Sequence, residues 1–123
     1  MTKWSVVRRF NIQESDAIRL RHILDAAEAI ERFLANRSRD DFERDDLFFW
    51  GIVKLIENAG EAAVKLSAAS RDQLADVPWP VVIATRNRLV HAYMDLDRDL
   101  VWEAATTSMP ELARVLRRHL SIP

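Results

Sequence analysis

The chain has 123 residues, a length that suits one domain, and its formal net charge at pH 7 is −1. Hydrophobic residues make up 49% of the sequence and charged residues 30%, a composition that excludes a disordered chain. The small net charge argues against a protein that coats nucleic acid by bulk electrostatics, although a local basic groove is compatible with it.

Cysteine is absent, which excludes disulfides, a thiolate nucleophile and cysteine metal ligands and fits a cytoplasmic protein. No apolar run approaches the roughly 20 residues of a membrane span, and the N-terminus lacks the apolar stretch of a signal peptide. We therefore expect a cytoplasmic protein without a membrane partner.

The first 14 residues form a leader whose structure the sequence leaves open. Trp4, Val6 and Phe10 alternate only imperfectly with polar positions. A short strand, an arm and a disordered leader are all compatible with this pattern. We expect the folded domain to comprise residues 15–123.

Two long helices are predicted in the first half of this domain. The first runs from Ser15, a candidate N-cap, to about Asn36, because apolar residues recur there at helical spacing. A charged loop follows, with Phe42 as its apolar anchor. The second helix runs from about Asp45 to Ala68.

The second helix is apolar around much of its circumference, which predicts a central position in a bundle. Gly60 lies inside it. A glycine there is about 1 kcal/mol less favourable than alanine, so its presence indicates the close approach of another helix.

Further helical segments are predicted in the second half. The stretch Ser70–Asp76 is typical of one capped turn, and Pro80 suits the first turn of a third long helix. A last helix starts near Asp95 or Asp97, and Pro110 should kink or split it. The scarcity of glycine and proline also favours helices, so we expect an all-α bundle of four or five helices.

Eight residues of the third long helix, from Arg86 to Tyr93, carry the side chains best suited to chemistry. A guanidinium is permanently charged and suits phosphate, and an imidazole exchanges protons near neutral pH. Helical spacing places Arg86 and Tyr93 on one stripe and Asn87 and His91 on a neighbouring stripe. Arg86 and His91 are therefore offset around the helix.

Spacing alone does not decide between a site and an ordinary helix surface, because a lone Arg–His pair is most often a solvated or hydrogen-bonded face. Leu89 and Val90 are expected to face the core.

Glu57 and Glu61 are four residues apart and resemble a catalytic carboxylate pair, but two acids at this spacing more often flank a packing seam.

Basic residues near the C-terminus also allow two interpretations. Arg114, Arg117 and Arg118 would contact an RNA backbone or simply form a solvated helix end that favours the helix dipole. No spacing typical of a metal site is present, since His22, His91 and His119 are widely separated in the sequence. We expect no cofactor.

The run RNRLVHAY resembles the R-x4-H-x-Y motif of HepT-like proteins, a branch of the HEPN superfamily. The segments LIENAGEAAVKLS, VPWPVVIATRNRLVHAY and LDRDLVWEAATTSMPEL are similar to the same family, in its order and spacing. The resemblance extends from about Asp16 to Leu116 and leaves the leader unexplained.

This resemblance implies an antiparallel HEPN-like bundle that acts as a dimer and cleaves RNA without a metal. It further implies a toxin that is paired with a nucleotidyltransferase antitoxin. Arg86 and His91 match the catalytic pair of the family, and Asn87 matches the polar residue that often follows the arginine. Tyr93 matches the tyrosine that the partner enzyme modifies with AMP.

The implied chemistry is coherent, because RNA carries its own nucleophile. His91 would exchange a proton with the 2′-hydroxyl or the leaving oxygen, and Arg86 would stabilise charge on the phosphate. The products would be a 2′,3′-cyclic phosphate and a 5′-hydroxyl. The alternative is a noncatalytic subunit of a nucleotidyltransferase that binds a nucleotide or the transferase itself.

Overall fold

The computed structural model describes residues 12–91 and 95–120. This part of the chain contains helices and no strand, which confirms the predicted all-α class. Four long helical stretches form the bundle, joined by short helices. Their bounds are α1 Glu14–Leu34, α2 Asp41–Arg44, α3 Asp46–Lys65, α4 Ala68–Gln73, α5 Trp79–His91, α6 Arg98–Glu103, a π-helical turn Ala104–Ser108 and α7 Met109–Leu120.

Helix α1 begins one residue before the predicted start, so the expectation that Ser15 caps it is wrong. Gln13 occupies the N-cap and makes no side-chain hydrogen bond there. Asp16 is buried and binds a distant segment, since it accepts hydrogen bonds from the hydroxyls of Ser67 and Ser70. Just beyond α1, Asn36 has a φ of 62°, a left-handed conformation that asparagine tolerates well.

The central position predicted for the second long helix is confirmed. Helix α3 packs against α1 on one side and against α5 on the other. Its start is capped by Asp45, whose carboxylate accepts a hydrogen bond of 3.0 Å from the backbone N–H of Phe48.

The charged loop before α3 folds over one end of the core. The ring of Phe42 is completely buried there and contacts three other aromatic rings, at centroid distances of 5.1–5.3 Å. Arginines surround this cluster, with the guanidinium of Arg98 lying 4.0 Å from the centroid of Phe49. Phe42 is therefore the anchor that the sequence predicts.

Helix α5 has a narrow buried face. Trp79, Val82 and Leu89 are its buried residues, and the indole N–H of Trp79 donates a hydrogen bond to the carbonyl of Leu74. Leu89 faces the core as expected, but Val90 is 39% exposed, so the prediction that both are buried is half wrong. Much of α5 is therefore left accessible.

Pro110 does not break the last helix, although the sequence predicts a kink or split there. The chain stays helical from Arg98 to Leu120 and widens into the π-helical turn just before the proline. Proline has no N–H and its ring crowds the carbonyl four residues earlier, and the wider turn is a common way for a helix to adapt to such a change. Helix α7 then packs against α1.

Candidate functional site

The motif residues that the structure describes lie on the second half of α5. Arg86 is half-buried, whereas Asn87 and His91 are exposed. His91 is the last residue of the helix. Tyr93 lies outside the described residues, as does the leader up to residue 11.

Arg86 and Asn87 are joined directly. The Nη1 group of Arg86 donates a hydrogen bond of 2.9 Å to Oδ1 of Asn87. Asn87 therefore orients the guanidinium, a role for which sequence spacing gave no signal because adjacent helix positions point in different directions.

Arg86 and His91 are not joined by a hydrogen bond in the described part of the chain. Five helix positions separate them by about 140° around the axis and about 7.5 Å along it. One copy of α5 therefore presents the guanidinium and the imidazole in different directions, as the helical spacing predicts.

The stem of Arg86 is packed against α3. Its Nε atom is buried and has no hydrogen-bond partner among the described residues. One Nη1 hydrogen is used by Asn87, so the rest of the terminal NH₂ groups carry the donors that remain for a ligand. The Nε side of the guanidinium is therefore buried, and its terminal NH₂ groups are the part that is left for a ligand.

A second feature lies between α1 and α3, where an open groove has a volume of about 730 Å³. Its charged lining residues are of both signs, with the cations Arg19 and Lys65 and the acids Asp25 and Glu61, and His22 also lines it. Sequence patterns do not reveal this groove, because its two walls are about 40 residues apart in the chain.

The carboxylate pair considered from the sequence is not a pair of free acids. Glu61 is exposed and forms an ion pair of 3.3 Å with Lys65, one helical turn further along α3. This contact supports the ordinary interpretation of Glu61 as a residue of the helix surface.

The basic residues of α7 also have acidic partners. Arg114 contacts Glu111, Arg117 contacts Glu31, and Arg118 contacts Asp76. Their charges are therefore largely compensated within the chain, which favours the interpretation of a structural helix end over an RNA-binding patch.

The described residues form neither a metal-binding cluster nor a membrane-spanning helix. No group of three or more histidine, aspartate or glutamate side chains is arranged to hold a metal ion. No helix in residues 12–91 and 95–120 is long and apolar enough to cross a membrane.

The known proteins that this chain is similar to include several named as ribonucleases. The chain is 29% identical over 101 residues to a protein of Caldanaerobacter subterraneus subsp. tengcongensis named "Putative RNase", covering 82% of this chain and 90% of that protein. It is 27% identical over 93 residues to the "Probable ribonuclease HepT" of Thermococcus cleftensis, covering 76% and 84%.

A further relative is larger than this chain. The "Gamma-glutamylcyclotransferase and putative RNase" of Methanocaldococcus jannaschii is 30% identical over 95 residues, which are 77% of this chain but only 43% of that protein. No solved structure matches the chain significantly.

The model of the family described as "Ribonuclease HepT-like" matches residues 23–119, which include α3, the motif on α5 and most of α7. This match covers well over half of the sequence and agrees with the resemblance carried by the motif. The chain belongs to the HepT-like ribonuclease family.

Proposed function

We propose that this protein is a metal-independent endoribonuclease and the toxin of a toxin–antitoxin pair, acting in the cytoplasm. The observation that carries the proposal is the arrangement on α5. A guanidinium tethered by Asn87 and an exposed imidazole lie on the same helix of a protein from a ribonuclease family.

In the proposed reaction, an imidazole removes the proton of the ribose 2′-hydroxyl, and the 2′-oxygen attacks the adjacent phosphorus. The bond from phosphorus to the 5′-oxygen breaks, and an imidazolium returns a proton to that oxygen. The products are a 2′,3′-cyclic phosphate and a 5′-hydroxyl end. His91 supplies the imidazole, and Arg86 stabilises the charge that grows on the phosphate oxygens.

A homodimer is part of this proposal. One chain supplies one His91, and Arg86 lies about 140° around the helix from it. Two chains related by a two-fold axis would place two copies of each side chain in one cleft, so that acid and base are supplied by different imidazoles. The accessible side of α5 supports such an arrangement.

The control of the enzyme would act next to the same site. In the proposal, a nucleotidyltransferase antitoxin attaches AMP to Tyr93, two residues beyond His91. The attached group adds bulk and negative charge where an RNA phosphate would bind, and like charges repel. The family resemblance of the motif supports this step.

The first test compares the wild type with His91→Ala and Arg86→Ala on RNA in EDTA, without the partner. We expect the wild type to cleave with cyclic phosphate ends and both variants to lose at least about 100-fold in rate, the size of a general acid–base or charge-stabilising contribution. Arg88→Ala is the matched control, because Arg88 is exposed on the same helix and its loss removes the same charge.

Two further measurements complete the test. A 2′-deoxy nucleotide at the cut site should abolish cleavage, and light scattering at micromolar concentration should give the mass of two chains. Cleavage of the deoxy substrate, or equal activity of wild type and His91→Ala, would refute the mechanism. A monomer would refute the shared cleft.

The alternative is a noncatalytic subunit that binds a nucleotide or a nucleotidyltransferase. The net charge of −1 and the compensated arginines of α7 favour it, since neither feature attracts RNA. It predicts that wild type and His91→Ala are equally inactive on RNA, and that both bind the transferase with the same affinity.

A further inference from the structure

Helices α3 and α5 come into close contact where Gly60 meets Arg86. A Cβ atom placed on Gly60 would lie 2.7 Å from Cγ of Arg86, closer still to its Cβ, and 3.4 Å from its Cα. Carbon atoms in good contact are about 3.5–4.0 Å apart, so no side chain fits at this position. The φ of Gly60 is negative, and the requirement is therefore one of space.

The contact falls on the base of the arginine side chain. The Cβ and Cγ atoms follow the backbone of α5, so relieving a clash with them would move the helix or rotate the whole side chain. The Nε atom beyond them is sealed from solvent and has no partner among the described residues. The packing against α3 therefore fixes both the depth and the direction of the guanidinium.

We propose that Gly60 is a positioning residue for Arg86. Its missing side chain lets the stem of Arg86 sit against α3, which directs the terminal NH₂ groups outward for a phosphate while Asn87 fixes their rotation. This inference deepens the proposed function and rests on it for the identity of the ligand.

Gly51 provides a matched control on the same helix. A Cβ atom there meets nothing within 4 Å, and the residue is exposed. Gly51→Ala and Gly60→Ala each replace a glycine inside α3 by the best helix former, so their effect on helix propensity is the same. Only Gly60→Ala disturbs Arg86.

The activity arm measures steady-state cleavage well below the melting temperature of each variant. Gly60→Ala should lower kcat by about 10- to 100-fold, because a displacement of about 1 Å at a reacting group has an effect of that size. Gly51→Ala should stay within about twofold of the wild type. Equal kcat values for the two variants would overturn the proposal.

A spectroscopic arm needs no cleavage. The buried Nε–H of Arg86 should give a slowly exchanging arginine signal in a ¹⁵N spectrum, which Arg86→Lys identifies by its loss. Gly60→Ala should shift this signal and speed its exchange, and Gly51→Ala should leave it unchanged. If Gly60→Ala also leaves it unchanged, Gly60 does not position the guanidinium.

A double variant covers the case in which Gly60→Ala fails to fold. Arg86→Gly removes the Cβ and Cγ atoms that the new methyl group would meet. Gly60→Ala should therefore lower the melting temperature much less in the Arg86→Gly background than in the wild type, and an equal loss in both would refute the contact. If the wild type does not cleave RNA but the arginine signal responds as described, the proposed function fails and the positioning of Arg86 stands.

Discussion

Replacing Asp16 by alanine should destabilise the fold more than its place in the first turn of α1 suggests. Its carboxylate is buried and accepts hydrogen bonds of 2.6 Å from the hydroxyl of Ser67, 2.7 Å from that of Ser70 and 3.2 Å from the backbone N–H of Ser67. These bonds join the start of α1 to the junction between α3 and α4.

The size of the effect follows from these contacts. A hydrogen bond to a charged group contributes about 1.5–3 kcal/mol, and a buried donor left without an acceptor is destabilising by about 1–3 kcal/mol. Ser70 is buried, whereas Ser67 is exposed and can turn to water. We therefore expect Asp16→Ala to lower the free energy of unfolding by about 3 kcal/mol, out of the roughly 5–15 typical of a domain.

The pH dependence gives a second signature of the same carboxylate. Burial raises the pKa of Asp16, but the hydrogen bonds from Ser67 and Ser70 and the charge of Arg19 lower it by more, so that it lies below its ordinary value. Its stabilising contribution is therefore present above about pH 4 and is lost as the pH falls through the lowered pKa. The difference between wild type and Asp16→Ala should be constant from pH 5 to 8 and shrink in acid.

The assay is urea denaturation followed by tryptophan fluorescence and helical circular dichroism. Asp25→Ala is the control, since Asp25 lies on the same helix and forms an exposed ion pair of 3.0 Å with Arg21. Such pairs contribute at most about 1 kcal/mol. If Asp16→Ala and Asp25→Ala are equally stable at pH 7, the buried carboxylate does not join the two segments as described.

Two other perturbations test the packing. Phe42→Ala empties a fully buried site between three aromatic rings and should lower the free energy of unfolding by about 3–5 kcal/mol in the same assay. The control Leu47→Ala, at a residue that is 85% exposed, should change it by less than about 0.5 kcal/mol. Similar values for both variants would refute the role of Phe42 as the aromatic anchor. Burial raises the pKa of Asp76, but hydrogen bonds from His119 and Arg118 lower it by more. Asp76→Asn should therefore lower the melting temperature at pH 7, and this effect should shrink as acid protonates the wild-type carboxylate. An effect that grows in acid would contradict this linkage.

Local sequence patterns predicted most of the helices. In α1 and α3 the apolar residues recur with the 3.6-residue period of an α-helix. Each of these helices can therefore be predicted without knowing which other helices it contacts. A kink or split was predicted at Pro110, whereas the structure has a π-helical turn before it. The presence of a proline restricts the backbone but does not determine how the preceding turn adapts. Val90 was misplaced because, among the described residues, α3 is the main neighbour of α5, and the side of α5 away from α3 is less covered.

The sequence by itself determined the all-α class, the order of the long helices and the family, because helical period and a short motif are properties of neighbouring residues. Tertiary structure alone decided which remote residues meet. Asp16 binds serines 51 and 54 positions away, and Arg86 packs on a glycine of another helix. Such contacts depend on how two helices cross and at which register, and the periodicity of a single helix contains neither quantity. The sequence placed Arg86 in a motif, and the packing of α3 on α5 showed that its Cβ and Cγ atoms lie against Gly60 while its terminal NH₂ groups are left for a ligand.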